Sequence, residues 1–228
     1  LKLLNYRSVE DIDNKTNLLG VYFMTFGILR LFRAADPQKA ADVTNEHLDK
    51  HNRKNAYIGI SLTRPNVLIL ATRYESLSEK AEMDKENRDA KLVANIGGGE
   101  FLDLSLIKPV NSTTKGDSLN SNTYLSLFGG ENSDVRKTAE LSKKILEIDG
   151  QSLSDNGITT FQSIGITGIP VNRTFIWHGI EKEEVAEKVL VDGVSQFHSE
   201  DGLKLIREAA SLWTTKNRGF FQTLRNMG

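Results

Sequence analysis

The chain of 228 residues contains no cysteine. That absence removes thiolate nucleophiles, CxxC redox chemistry, Cys-ligated zinc or iron–sulfur centres and any disulfide-built scaffold, and a cytoplasmic protein is expected. Proline is scarce. Pro37, Pro65, Pro109 and Pro170 stand far apart, so long uninterrupted helices are allowed. An excess of one charge is lacking as well: Lys plus Arg total 29 against 30 for Asp plus Glu, a net charge of -1. Nothing in bulk draws the molecule to nucleic acid or anionic lipid, so any polyanion site must be local. The most apolar stretch, Thr16 to Leu29, falls short of the roughly 18 residues a spanning helix needs, so no membrane span is expected. It reads as a core helix, with a membrane-surface helix as the alternative because Arg30 and Arg33 follow it. The first residue is Leu1, so a targeting segment could precede the sequence; none is visible within it.

Periodicity predicts a mainly α chain with a minor β component (α+β): two helical halves joined by a polar loop, with a terminal arm. The boundaries are 1–109, 110–123, 124–218 and 219–228. Asp36 before Pro37 is the order of a cap and first turn, opening a helix to about Arg53. Tyr57 to Leu62 and Val67 to Thr72 could form a hairpin across the breaker TRPN. The competing pattern, Leu70, Tyr74, Leu77 and Ala81, favours a long helix from Leu70 to Leu92. Phe101 to Ile107 alternates as a strand, and Val110 to Thr123 is polar and loop-like. A helix is expected from Asp134 to Ile148, capped by Ser133 and stopped at Gly150. Another begins near Ser152 or Ser154 and carries Ile158, Phe161 and Ile164. Glu181, Glu183 and Glu184 open a helix that buries Val185, Val189 and Leu190 before Gly193. Ser199 caps the last long one, with Leu203, Ile206, Ala210 and Trp213 as its stripe. No repeat occurs at solenoid periods.

Chemical motifs are few. His47 and His51 have a metal-ligating spacing, but Leu48 stands where a zincin helix needs Glu and no third ligand is spaced for them, so a solvated helix face is the default and no metal is expected. Gly97, Gly98 and Gly99 lead into a strand without a Lys, Ser or Thr partner, which suits a tight turn better than a phosphate cradle. Asp11 with Asp13, and Asp84 with Glu86, read as surface charge. There is no GxSxG elbow, no Ser, His and acid grouping stands out, and no cofactor signature appears.

Local basic character with aromatics is the recurring pattern. It gathers Arg30, Arg33, Arg53 and Lys54 in the first half, and Arg136, Lys137, Lys143 and Lys144 on one helix. It adds Arg173 with Trp177, and Arg218 and Arg225 in the tail. Phe220, Phe221 and Leu224 make that tail apolar enough to dock on a neighbouring subunit. The plainer reading of each is a packed aromatic or a solvated helix face. Taken together, they are similar, at the level of class only, to viral nucleocapsid or helical coat proteins. The similarity implies a self-assembling, single-stranded RNA-binding structural protein of the host cytoplasm and virion, a homo-oligomer linked through the terminal arm. A near-neutral charge counts against it. The rival expectations are a small intracellular enzyme with a site assembled from scattered residues, and a ligand-free protein-interaction domain.

Overall fold

In the computed structural model, residues 26–96, 99–113, 121–167, 172–214 and 217–227 are described. Alternation organises the first half. In β1 (Phe26–Arg33), Leu29 and Leu31 face one apolar cluster while Phe26, Ile28 and Phe32 face another, so both sides of the strand are covered. Helix α1 (Pro37–Lys50) starts where the Asp36 carboxylate accepts the Lys39 amide at 3.0 Å. Strands β2 (Ala56–Ser61) and β3 (Val67–Tyr74) form a hairpin, followed by α2 (Leu77–Asp89), α3 (Leu92–Asn95) and β4 (Glu100–Ser112).

The second half repeats the plan. It runs through β5 (Tyr124–Glu131), α4 (Val135–Asp155), β6 (Ile158–Thr167), β7 (Arg173–Ile180), α5 (Glu183–Asp192), a 3-10 turn (Val194–Phe197), α6 (Glu200–Ser211) and β8 (Asn217–Arg225). The strands lie in the order β4-β1-β3-β2 in the first half and β8-β5-β7-β6 in the second. Each half is thus a ferredoxin-like βαββαβ unit, and antiparallel β2–β8 and β4–β6 pairings close the two sheets into one eight-stranded barrel. Leu29, Tyr57, Ile69, Leu125, Trp177 and Phe221 belong to the cluster that fills the interior.

The fold is therefore α+β with a barrel at its centre, which corrects the mainly α expectation. Phe26–Leu29, Leu70–Tyr74 and Ile158–Ile164 are all strand rather than helix. In each case β-branched or aromatic residues are buried on both faces, and that pattern imitates a helical stripe over a short window. The terminal arm is also corrected: it is β8, inserted between β2 and β5 with Phe220 and Phe221 each 2% exposed. Helix α4 is capped by Asp134, whose carboxylate accepts the Lys137 amide at 2.9 Å, and it continues through Gly150 to Asp155. Residues 16–25, Asp11, Asp13, Gly97, Gly98 and residues 114–120 of the polar loop lie outside the described residues. Among the described residues no helix is long and apolar enough to cross a membrane.

Candidate active site

The two halves differ in the layer between sheet and helices. Beneath α1 the outward residues of β2 are Ile58 and Ile60, packed with Leu48, Leu68 and Tyr74. The matching strand of the second half, β6, presents Thr160 and Gln162 instead. They border a mostly apolar cavity of about 330 Å³, roofed by α4, α6 and the 3-10 turn. A cavity of this size is at the lower end of the roughly 300–1,000 Å³ typical of ligand sites.

Cross-strand register builds the floor. Thr160 lies opposite His178, and Gln162 opposite Ile176, which in turn faces Phe128 on β5. From above, α4 contributes Thr138, Ser142, Ile145 and Leu146, and Asp149, four residues on from Ile145 on the same buried face, stands behind them. Helix α6 contributes Ile206, Ala209 and Ala210, with Trp213 just beyond it.

Two imidazoles line this cavity with different surroundings. His198 precedes α6, and its Nδ1 donates to Asp149 Oδ2 at 2.8 Å, with side chains only 6% and 3% exposed. The carboxylate also accepts the Ser199 amide at 3.1 Å. Burial alone would raise the Asp149 pKa, but the hydrogen bonds from Ser199 and His198 outweigh it and hold the carboxyl below its ordinary value. Asp149 therefore stays ionised, fixes the His198 tautomer and leaves Nε2 as the ring's free nitrogen. Among the described residues His178 has no acid partner. Its Nδ1 is 2.8 Å from Thr160 Oγ1, and burial, with His198 and Arg218 nearby, pushes its pKa down to about 3.

That depression has a measurable consequence. An unfolded imidazole titrates near ~6.5, so the stability contributed by neutral His178 is complete above that pH and is lost as pH falls from there towards the folded value. The slope is up to ~1.4 kcal/mol per pH unit, or about 2 kcal/mol between pH 7 and pH 5. Urea midpoints are expected to fall over this interval in the wild type and to fall less in His178→Gln. Equal slopes would contradict the assignment.

The sequence-predicted site residues are dispersed. Arg30 donates to Thr72 at 3.0 Å on the outer face of β1, and Arg33 pairs with Glu100 at 2.9 Å. Arg53 is held by Glu86 at 2.8 Å, while Lys54 is exposed. Arg225 reaches Asp49 at 2.7 Å and the Arg53 carbonyl at 2.8 Å, so these two come together at the end of α1. Arg136, Lys137, Lys143 and Lys144 are exposed along the outer side of α4, Lys137 paired with Glu208 at 2.8 Å. Arg173 and Arg218 line a second cavity at the barrel mouth, but Asp103 neutralises Arg173 through bonds of 2.7 and 2.5 Å. Trp177 is 0% exposed and stacked on Phe161, leaving no face for a base. Phe220 and Phe221 belong to the protein's own core, and Leu224 packs against it. His47 and His51 have ring centroids 4.7 Å apart, but no group of three metal-binding side chains occurs among the described residues.

The cavity pair Asp149 and His198 was missed by sequence reasoning, because 49 residues separate them. The available signals were small: an outward polar residue on each of two alternating strands, and a His beside a helix cap.

No family model and no curated protein matches the chain. Solved structures do match its fold. A candidate monooxygenase from Fusobacterium nucleatum superposes with a TM-score of 0.65 at 12% identity, covering 89% of this chain and 94% of that one. An anthrone oxidase-like protein gives 0.58 at 11%, covering 89% and 93%. A heme-binding protein from Thermus thermophilus gives 0.51 at 10%, covering 87% and 91%. At such identities the likeness shows the fold alone. These neighbours, which share the barrel fold and none of which is a coat or nucleocapsid protein, overturn the nucleocapsid expectation with its viral RNA-coating role.

Proposed function

We propose that the chain is a small-molecule oxidoreductase acting in the cavity of its second half, with His198 as the group that takes the substrate's proton. The observation that carries this is the buried His198–Asp149 pair bordering a mostly apolar space. A carboxylate on Nδ1 stabilises the imidazolium formed when Nε2 accepts a proton, while a dry wall strengthens that charge pairing. The anthrone oxidase-like neighbour supports a compact ring substrate with an activated methylene. In such a reaction the C–H proton moves to Nε2 and the electron pair delocalises through the ring system onto the carbonyl oxygen. Dioxygen then oxidises the methylene to a carbonyl, with water as the second product. Ile176, Ile206 and Phe128 give the cavity an apolar wall on which such a ring can pack.

Anthrone is the probe that tests this. Oxygen uptake by the wild type is expected to fall by roughly 10²–10⁴-fold in His198→Gln, the range for loss of a general base. A variant that retains the wild-type rate would overturn the proposal.

Haem, suggested by the Thermus neighbour, does not fit this cavity. His198 with a carboxylate on Nδ1 has the donor arrangement of an axial ligand. Yet among the described residues no Lys or Arg lines the cavity to meet two propionates. Added hemin is expected to give no stoichiometric Soret band; a one-to-one band lost in His198→Ala would contradict this.

A further inference from the structure

Gln162 lines the cavity, is 1% exposed, and has Asn111 of β4 as its register partner. The orientation of its amide follows from its neighbours. The Ala139 carbonyl of α4 can only accept, so the Asn111 atom 2.8 Å from it is the Nδ2 amino group. The same amino group lies 2.8 Å from Gln162 and donates its second hydrogen there, so Gln162 must present Oε1 to it. Nε2 is thereby turned to the other side, buried, and without an acceptor among the described residues.

An unmet donor in a low-dielectric wall is unfavourable unless something supplies an oxygen to it. The two threonine hydroxyls of the cavity already have partners. Thr160 Oγ1 is engaged with His178, and Thr138 Oγ1 donates to the Asp134 carbonyl while accepting from Asn132 Nδ2. Gln162 Nε2 is therefore a donor with no structural task, on the wall of the same cavity that His198 borders.

We infer that Gln162 Nε2 donates to the carbonyl oxygen of a ring ketone bound in this cavity, and that Asn111 positions it. The inference rests on the reading of the cavity as the substrate site. It adds the residue that recognises the single carbonyl oxygen of that compact apolar ring substrate. The interaction strengthens as proton removal loads negative charge onto that oxygen. Gln162 is a substrate-contacting residue; Asn111 acts through it.

Anthrone and 9,10-dihydroanthracene share a three-ring frame and differ in the carbonyl, so anaerobic binding of both, followed by quenching of Trp213 fluorescence, separates recognition from burial. Wild-type protein is expected to prefer anthrone by at least about ten-fold. Gln162→Leu should erase the preference while leaving dihydroanthracene affinity unchanged, with volume-conserving Gln162→Met as a second variant should the first fold poorly. Asn111→Asp should do the same, because a carboxylate there accepts from Nε2 and leaves Oε1 towards the ligand. Equal binding of the two probes by the wild type, or a preference surviving in Gln162→Leu or Gln162→Met, would overturn the inference. Lost preference together with an unaffected His198→Gln rate would leave recognition standing and remove the proton-transfer reading. Failure of both probes to bind the wild type would overturn both.

Discussion

Deleting Gly219–Gly228 is expected to abolish cooperative folding, because the deleted residues include most of β8. Within the barrel β8 pairs on both sides, with β2 from Ser61 to Ile58 and with β5 from Gly129 to Tyr124. Its loss opens two unprotected strand edges at once. Phe221 leaves the barrel interior and Phe220 leaves the outer cluster of the second half. Each burial contributes roughly 1.5–3 kcal/mol, before the lost ladder bonds are counted. Against a total stability of roughly 5–15 kcal/mol, that sum is a large fraction, and the loss of both ladders comes on top of it. Circular dichroism and urea titration of the truncated chain check this. A sigmoidal transition with the wild-type midpoint would show that the barrel closes without β8.

Gly202→Ala is expected to be nearly as damaging, although it adds one methyl to the first turn of a helix. A Cβ built at Gly202 falls 1.7 Å from Asp149 Oδ2 and 2.8 Å from its Cγ. Asp149 cannot simply swing aside, since His198 and Ser199 hold both carboxylate oxygens. Either α6 lifts away from α4 or the carboxylate turns, and both outcomes detach His198 from its acid. Breaking such a buried pair costs about 3–5 kcal/mol when one charge is left unmatched. The variant should lose several kcal/mol in urea unfolding, and any folded fraction should lose oxygen uptake with anthrone. A Gly202→Ala protein with unchanged midpoint and rate would show that the contact has slack.

Some of this architecture is legible in the residues. Caps and stripes fix α1 and α6: Asp36 before Pro37 opens one, Ser199 opens the other, and Ile206, Ala210 and Trp213 fall on the side that meets the cavity. The clean alternation around Leu102 to Leu106 places β4. The barrel was hidden because strands covered on both faces lose their two-residue period. In β3, Val67, Ile69 and Ala71 join the interior cluster while Leu68 and Tyr74 join the layer under α1. A run apolar on both faces can then be continued into the charged helix α2 on paper. Gly150 looked like a stop, yet α4 passes through it. The duplication of the halves is a property of strand order, and nothing in the spacing of residue types announces it.

The site was hidden for a related reason. His178 stands directly after Trp177, which with Arg173 reads as base-stacking character. Alternation sends Trp177 into the barrel and His178 outward beneath α4, so adjacent residues serve different layers. Basic residues were grouped by sequence proximity, whereas the fold engages most of them with carboxylates. Asp149 and His198 carry no local motif, and only the packing of α6 against α4 joins them.

The distribution of histidines offers the most direct test of the central claim, that the cavity of the second half is the working site. The chain has four, with His47 and His51 on or beside α1 and His178 and His198 at the cavity. Imidazole resonances followed by heteronuclear NMR during an anaerobic anthrone titration should show saturable shifts at His178 and His198 and none at His47 and His51. Shifts confined to His47 and His51, or no saturable shift at either cavity histidine, would contradict the account.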